Sequence, residues 1–363
     1  CLILFIGIAF LNTVYSQSGK VGINTTTPAA MLHVKDSSVL FSGPPSITFP
    51  YSPPPAPDAG VRMMWYPQKA AFRAGYVDGQ QWNKDSIGLY SFAAGQNTRA
   101  KGDFSIAMGS DYTKADGAFS VALGGGTRAL GNQSIAIGSY NSEASGFASI
   151  VLGIECKSTG SASLAMGNLS RSNGNTSTAF GRGTRADGNY STATGFNTIA
   201  KSENLFVIGR YNDTTSLAST LWLLPDPLFI IGNGFGNNSR KNAVTVLKNG
   251  RMGINTHMPV ATFHVQDSSV LFNTGNTFGA GAPPVSGPGI RMMWYADKAA
   301  LRGGQVTGTQ WNKDSTGLVS MAYGYNVKAK GDGSLATGHT SEAIGNYSVA
   351  MGAFSKAVGG QSF

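Results

Sequence analysis

Charged residues fill only 12% of the 363 positions, and no stretch has the Glu, Lys and Leu content that builds long helices. Strands and turns are favoured instead. Cysteine is nearly absent: Cys1 sits in the opening apolar run and Cys156 stands alone in the body, so no intrachain disulfide is available once that run is removed. Stability must then come from packing or from partner chains. Dense basic runs are missing too, despite a formal charge of +9 and a pI near 9.5. The positive residues are scattered singly, as at Arg99, Lys101, Lys114, Arg128, Arg182 and Arg185, which is how a solvated face is decorated; no nucleic acid partner is expected. Beyond the first residues, no apolar run is long enough to span a membrane.

The opening CLILFIGIAFLNTVYSQ fits the apolar region and cleavage zone of a secretory signal, with cleavage after Ser16. Without a starting Met or a basic leader, the sequence reads as truncated at its N-terminus, and whether Cys1 belongs to a lipoprotein signal stays open. The expected destination is secreted, on the cell surface or associated with an outer membrane.

What the chain has in abundance is glycine, 49 residues of it, and the glycines are periodic. SFAAG at 91–95 returns as SIAMG, SVALG, SIAIG, SIVLG, SLAMG, STAFG and STATG, and ends as NLFVIG. The closing glycines are Gly95, Gly109, Gly124, Gly138, Gly153, Gly167, Gly181, Gly195 and Gly209, 14 apart with two single-residue insertions. They are read as turn glycines. Midway through each period lies a second motif, such as RAKG, KADG, RALG or EASG. One period therefore supplies two short strands and two turns, the unit of a solenoid whose strands pair with their copies above and below.

Alternation within the strands assigns the faces. In NTRAKG, Thr98, Ala100 and Gly102 point inward while Arg99 and Lys101 meet water. In SIAMG neither face is charged. If Ala107 faces the narrow interior, the column Ile106, Met108, Val121, Leu123, Ile135, Ile137, Ile150, Leu152, Leu164 and Met166 points out of the coil. Such a continuous apolar stripe exceeds what soluble monomers expose, and each large side chain is worth about 1.5 to 3 kcal/mol when buried. The expected remedy is an obligate homo-oligomer with the stripe on its axis.

The S-x-A-x-G pattern at 14 or 15 residues, with A-x-G between, resembles the head repeats of trimeric autotransporter adhesins of the YadA type over residues 91–209 and 320–363. The resemblance implies a left-handed parallel β-roll, a homotrimer and a surface adhesin. The receptor itself cannot be read from the sequence; a glycan or a host matrix protein is a candidate.

A second layer of repetition is a duplication. GINTTTPAAMLHVKDSSVLF (22–41) returns as GINTHMPVATFHVQDSSVLF (253–272), and RMMWYPQKAAFRAGYVDGQQWNKDSIG (62–88) as RMMWYADKAALRGGQVTGTQWNKDSTG (291–317). Both are interrupted by Pro-rich loops unsuited to regular sheet. The expected order is a signal at 1–16, a collar at 17–88, a roll at 89–209, a strand-rich connector at 210–251, a second collar at 252–317 and a second roll at 318–363. Asn233-Gly234 and Asn249-Gly250 mark turns in the connector. VLKNG with GINTxxP and the HV dipeptide resembles modules of phage-type tail fibres and of large Bacteroidetes surface proteins, so adhesin and tail fibre both remain readings.

Nothing points to catalysis. His33 and His264 are isolated imidazoles, read as packed residues rather than metal ligands. Asp85 and Asp314 sit in turn-rich WNKDS segments without a second acid. Cys156 shares the inward column of Thr98, Thr127, Ser170, Thr184 and Thr198 and reads as a small buried residue. GGGTRALG at 124–131 lacks the G-K-[ST] ending of a phosphate loop. Trp65, Trp82, Trp294 and Trp311 are equivalent in the two collars, as core anchors or as glycan platforms. A 14-residue period argues against hexapeptide acyltransferases, and the inward Thr column argues against an ice-binding face. No enzyme, cofactor or metal is expected.

Overall fold

A computed structural model describes residues 15–17, 19–215, 221–275 and 277–363, so most of the expected leader lies outside the described residues. The described residues form strands and short 3-10 turns, with no α-helix among them. The chain divides into two units, Cys1–Asp267 and Ser268–Phe363.

In the first unit each period folds into a five-residue strand and a two-residue strand, starting with Phe92–Gln96 and Arg99–Ala100. The last five-residue strand is Phe206–Arg210. Successive long strands pair in parallel without slippage: Ala107 lies beside Ala122, then Ala136, Val151 and Ala165. The short strands form their own eight-stranded sheet, in which Ala100, Ala115, Ala129 and Ala144 are in register. These two alanine columns are fully buried and face each other across the coil. Two strands joined by such short turns leave room for only small side chains between them, which is why most inward positions are Ala, Ser or Thr, with Val151 and Cys156 among the exceptions. The fold is thus an all-β solenoid with coils of about 14 residues.

The polar members of the repeat lock its corners. Ser105, Ser163, Ser177 and Ser191 each donate through Oγ to the glycine carbonyl three residues back, at 2.6 Å. Side-chain amides span the coils: the Ala118 N–H donates to Asn132 Oδ1 at 3.0 Å and the Asn175 N–H to Asn189 Oδ1 at 2.9 Å. Backbone groups at the corners, buried and exposed, are thereby satisfied by the sequence that makes the corner.

One expectation needs correction. The glycines from Gly95 to Gly209 do not occupy the turns; they lie inside the five-residue strands, as Gly109 does within Ile106–Ser110, with positive φ. A Cβ on Gly109 would lie 1.8 Å from the Gly124 carbonyl oxygen, and one on Gly138 would lie 1.7 Å from that of Gly153. Close backbone stacking fixes these positions as glycine, while the actual corners are turned by residues such as Phe104 and Phe119 in the left-handed region.

Ahead of the first coil, Gly60–Tyr66 and Ala71–Val77 form an antiparallel hairpin. Its second strand runs parallel to the first coil, pairing Phe72 with Phe92 and Arg73 with Ala93. After the last coil, Pro227–Asn233 stacks in parallel on Phe206–Arg210, and Asn242–Leu247, Met252–Ile254 and Phe263–Val265 complete a 15-stranded sheet. The Asn249-Gly250 pair closes a tight turn, with the Leu247 N–H donating to the Arg251 carbonyl at 2.9 Å. Asn233-Gly234 does not. It opens a loop whose Gly234 and Lys241 N–H groups donate back to the carbonyls of Arg210 and Tyr211, so pairing with the preceding coil replaces the two-residue turn. No strand lies between Val34 and Gly60 or, among the described residues, between Val265 and Gly289.

The second unit repeats the plan. The hairpin Gly289–Tyr295 and Ala300–Val306 leads into the long strands Met321–Tyr325, Leu335–His339 and Val349–Ala353, with a companion sheet of three two-residue strands.

Candidate interaction surface

The outward face of the long strands carries the apolar column. Ile106, Met108 and Ile137 are about two-fifths exposed, while Val121, Leu123, Ile135, Ile150, Leu152, Leu164 and Met166 are half-buried. Their partial cover comes from in-register neighbours in the same chain: Ile106 abuts Val121, Ile135, Ile150 and Leu164 form a file, and Met108 heads a second file through Leu123, Ile137, Leu152 and Met166. The column extends onto the hairpin, where Phe72 stacks on Phe92 with centroids 5.4 Å apart. It becomes more polar at Thr178, Thr192 and Thr194, then resumes with Phe206 stacked on Phe229 at 5.9 Å. The arrangement offers area to bury and no reactive group.

Two residues passed over in the sequence close the start of each roll. Arg73 stands where the coils place an inward alanine, and its guanidinium is fully buried. Nη1 donates to the carbonyls of Phe72 (2.7 Å) and Ser91 (2.9 Å), and Nη2 to Ser91 Oγ (2.8 Å) and the Ala100 carbonyl (3.0 Å). Arg302 makes the same four contacts with Leu301, Ser320 and Ala329. Burial pushes the two guanidinium pKa values down to about 9 and about 10. The signal was present in the alignment of FRAG at 72–75 with FAAG at 92–95, where arginine takes the place of alanine. Lys69 supports the same junction by donating through Nζ to the Lys84 and Ile87 carbonyls, and burial lowers its pKa.

Trp82 and Trp311 are fully buried, each donating its indole N–H to a coil carbonyl, Thr98 at 2.9 Å and Val327 at 3.0 Å. No sugar can stack on them. Trp65 and Trp294 are half-buried on the hairpins. Trp65 lines an apolar pocket of about 550 Å³ with Met63, Phe72, Phe41 and Pro55. His33 and His264 accept from nearby backbone N–H groups through Nδ1, which braces the Pro-containing loops before them. Asp85 and Asp314 sit in the 3-10 turns Lys84–Ser86 and Lys313–Ser315. Cys156 Sγ donates to the Gly167 carbonyl at 3.3 Å, the bond that Ser142 and Ser170 make from equivalent positions to Gly153 and Gly181 at 2.9 Å. Burial pushes its thiol pKa up, the opposite of what a nucleophile needs. Among the described residues, no three His, Cys, Asp or Glu side chains gather as a metal site.

The family described as YadA head domain repeat (2 copies) matches residues 86–111, 115–141, 172–198 and 329–355. These coils are YadA head repeats. The matched segments fall in the rolls of both units, and between them residues 142–171 keep the same strand register, so the head-repeat geometry runs through the unmatched coils as well. No curated protein matches the chain as a relative.

Proposed function

We propose that this chain forms a homotrimeric, exported fibre that attaches to a glycan or matrix surface through many weak contacts repeated along its rolls. The outward apolar column carries this reading. Ten large side chains, from Ile106 to Met166, lie on one face in continuous files, and a lone chain would leave that face in water. Association along the column removes it from solvent, and three chains multiply every surface contact into avidity. Head repeats of the same family in both units support a fibre, and the two hairpin collars serve as the starts of its two rolls. The same family resemblance supports a cell-surface location.

Sedimentation equilibrium of the full chain tests the assembly, with a mass of three chains as the expected result. A well-folded monomer at micromolar concentration refutes it. Binding of the purified fibre to immobilised glycans and matrix proteins, compared with a fibre whose charged outer ladder is neutralised, tests attachment.

A further inference from the structure

The regular period has two single-residue insertions, and each places a tyrosine in the corner that follows a long strand. At the first, Asp111 and Tyr112 both adopt left-handed φ, and the Tyr112 hydroxyl donates to Asp78 Oδ2 at 2.7 Å, tying the corner to the segment after the hairpin. That insertion has a structural use. At the second, Tyr140 and Asn141 are left-handed where the next two coils turn through a single residue, Glu155 and Leu169. Tyr140 is 70% exposed, and its hydroxyl has no partner among the described residues.

The extra residue makes a step in the stack, and below the step lies a pocket of about 420 Å³ lined by Tyr140, Asn141, Glu155, Lys157, Leu169 and Arg171. Lys157 and Arg171 are in-register neighbours on the short-strand sheet. Elsewhere on this ladder Arg99 is paired with Asp116, Arg128 with Glu143 and Arg185 with Asp187. The side chains of Lys157 and Arg171 make no ion pair or hydrogen bond among the described residues. Lys114 is also unpaired on the same ladder among the described residues, but at Lys157 and Arg171 two adjacent cations are left free beside a pocket.

We infer that this pocket is a binding site for a saccharide bearing one carboxylate or sulfate group. The two cations receive the anionic group, and a planar anion suits the fork of Arg171 in particular. Glu155 and the Asn141 amide supply an acceptor and donors for sugar hydroxyls, and the Tyr140 ring supplies an apolar platform of the kind sugars stack on. The single Glu155 carboxylate limits the lining to a net charge of about +1, which matches a monoanionic sugar better than a polyanion or an acidic peptide. The site gives the attachment reading above a ligand class and rests on that reading for its biological meaning, though not for its chemistry.

The test titrates the full chain by calorimetry with sialyllactose, sulfated lactose, neutral lactose and a glutamate-rich peptide. Binding of sialyllactose or sulfated lactose, with lactose weaker by about tenfold or more, is expected, and the two acidic sugars tell carboxylate from sulfate recognition. Arg171→Ala and Tyr140→Ala should each weaken binding by about tenfold while leaving the melting temperature in place. Deleting Tyr140, which restores the 14-residue period, should abolish it. The inference is overturned if neither acidic sugar binds, if lactose or the peptide binds as well, or if the variants bind like the parent. Sedimentation and surface attachment of the same preparations separate the two ideas. A trimer that attaches without binding acidic sugars sinks the site alone, and a monomer that binds them through Arg171 keeps the site and sinks the trimeric fibre.

Discussion

The guanidinium of Arg73 donates to the carbonyl of Ala100, 27 positions further on, at 3.0 Å, and Arg302 repeats the bond with Ala329 at 3.1 Å. A solenoid has an open end where its first coil would expose unpaired carbonyls and an unfilled interior. The hairpin strand covers the long-strand side of that end, and the arginine reaches across to the short-strand side. Arg73→Ala should therefore strip the Ser91 and Ala100 carbonyls of their side-chain donor, leaving each only its backbone partner, the N–H of Phe72 and of Gly88, and should empty the buried space of the guanidinium, at a cost of about 2 to 5 kcal/mol. Arg73→Lys should rescue little, since one ammonium cannot reproduce a fork that spans both sheets. Hydrogen exchange at the amides of residues 92–100 is the measurement, with the largest loss of protection expected there and little change in coils beyond Gly153. Equal loss along the whole roll would contradict a local cap.

The body of the roll was legible because its constraints repeat. Ala107, Ala122 and Ala136 fall on the buried face that simple alternation assigns them, and Ile106, Ile135 and Ile150 fall on the outward one. The caps were not legible in the same way, since Arg73 and Arg302 each occur once per roll and only alignment of the hairpin strand to the coil shows that they replace an alanine. The glycine columns misled for a different reason. Spacing shows that glycine is required but not why, and contact between stacked backbones, as between Gly138 and Gly153, is a property of two coils that one period does not display. The second insertion was visible as a one-residue slip, but the pocket beneath Tyr140 depends on side chains from three coils.

The glycine contact gives a sharp prediction. Gly138 has φ of 150°, and an added Cβ would sit 1.7 Å from the Gly153 oxygen, so Gly138→Ala must displace backbone in two coils. A loss of about 3 kcal/mol or more is expected by urea denaturation. Gly125→Ala is the control, because its added Cβ would come no nearer than 3.5 Å to any atom. Comparable losses at both sites would show that the close stacking is not what demands glycine at Gly138.

Charge placed on the apolar column should act on assembly and spare the coil. Ile137 is 40% exposed and makes no inward contact, so Ile137→Glu leaves the alanine interior untouched while putting a carboxylate on the proposed axis. The expected outcome is a shift from trimer to monomer in sedimentation, with the β-sheet circular dichroism spectrum retained. The same variant remaining trimeric would place the contact surface elsewhere. Ala136→Leu offers the contrast, since overfilling the interior should cost about 1 to 3 kcal/mol in stability without a direct effect at the axis.

Cys156 reports on the coil from within. Its thiol is fully buried, donates to the Gly167 carbonyl and has its pKa raised by burial, so the thiolate forms less readily in the folded chain than in the unfolded one. A disulfide-exchange reagent should therefore label it only at the rate of unfolding, and Arg73→Ala, whose effect is confined to the first coils, should leave that rate almost unchanged. The pH dependence has a definite sign. Below the ordinary thiol pKa of about 8.5 both states hold the proton, and the group adds no pH dependence. As pH climbs past that value the unfolded chain releases its proton while the folded chain keeps it, so stability falls by up to about 1.4 kcal/mol per pH unit until the folded thiol also ionises. Cys156→Ser keeps a donor for Gly167, as Ser142 and Ser170 do for their glycines, and should remove this alkaline loss without changing stability at neutral pH by more than about 1 kcal/mol. Denaturant midpoints of parent and variant between pH 7 and pH 10 give the comparison, and curves that stay parallel across that range would mean that Cys156 ionises equally in both states and is not sealed in the coil.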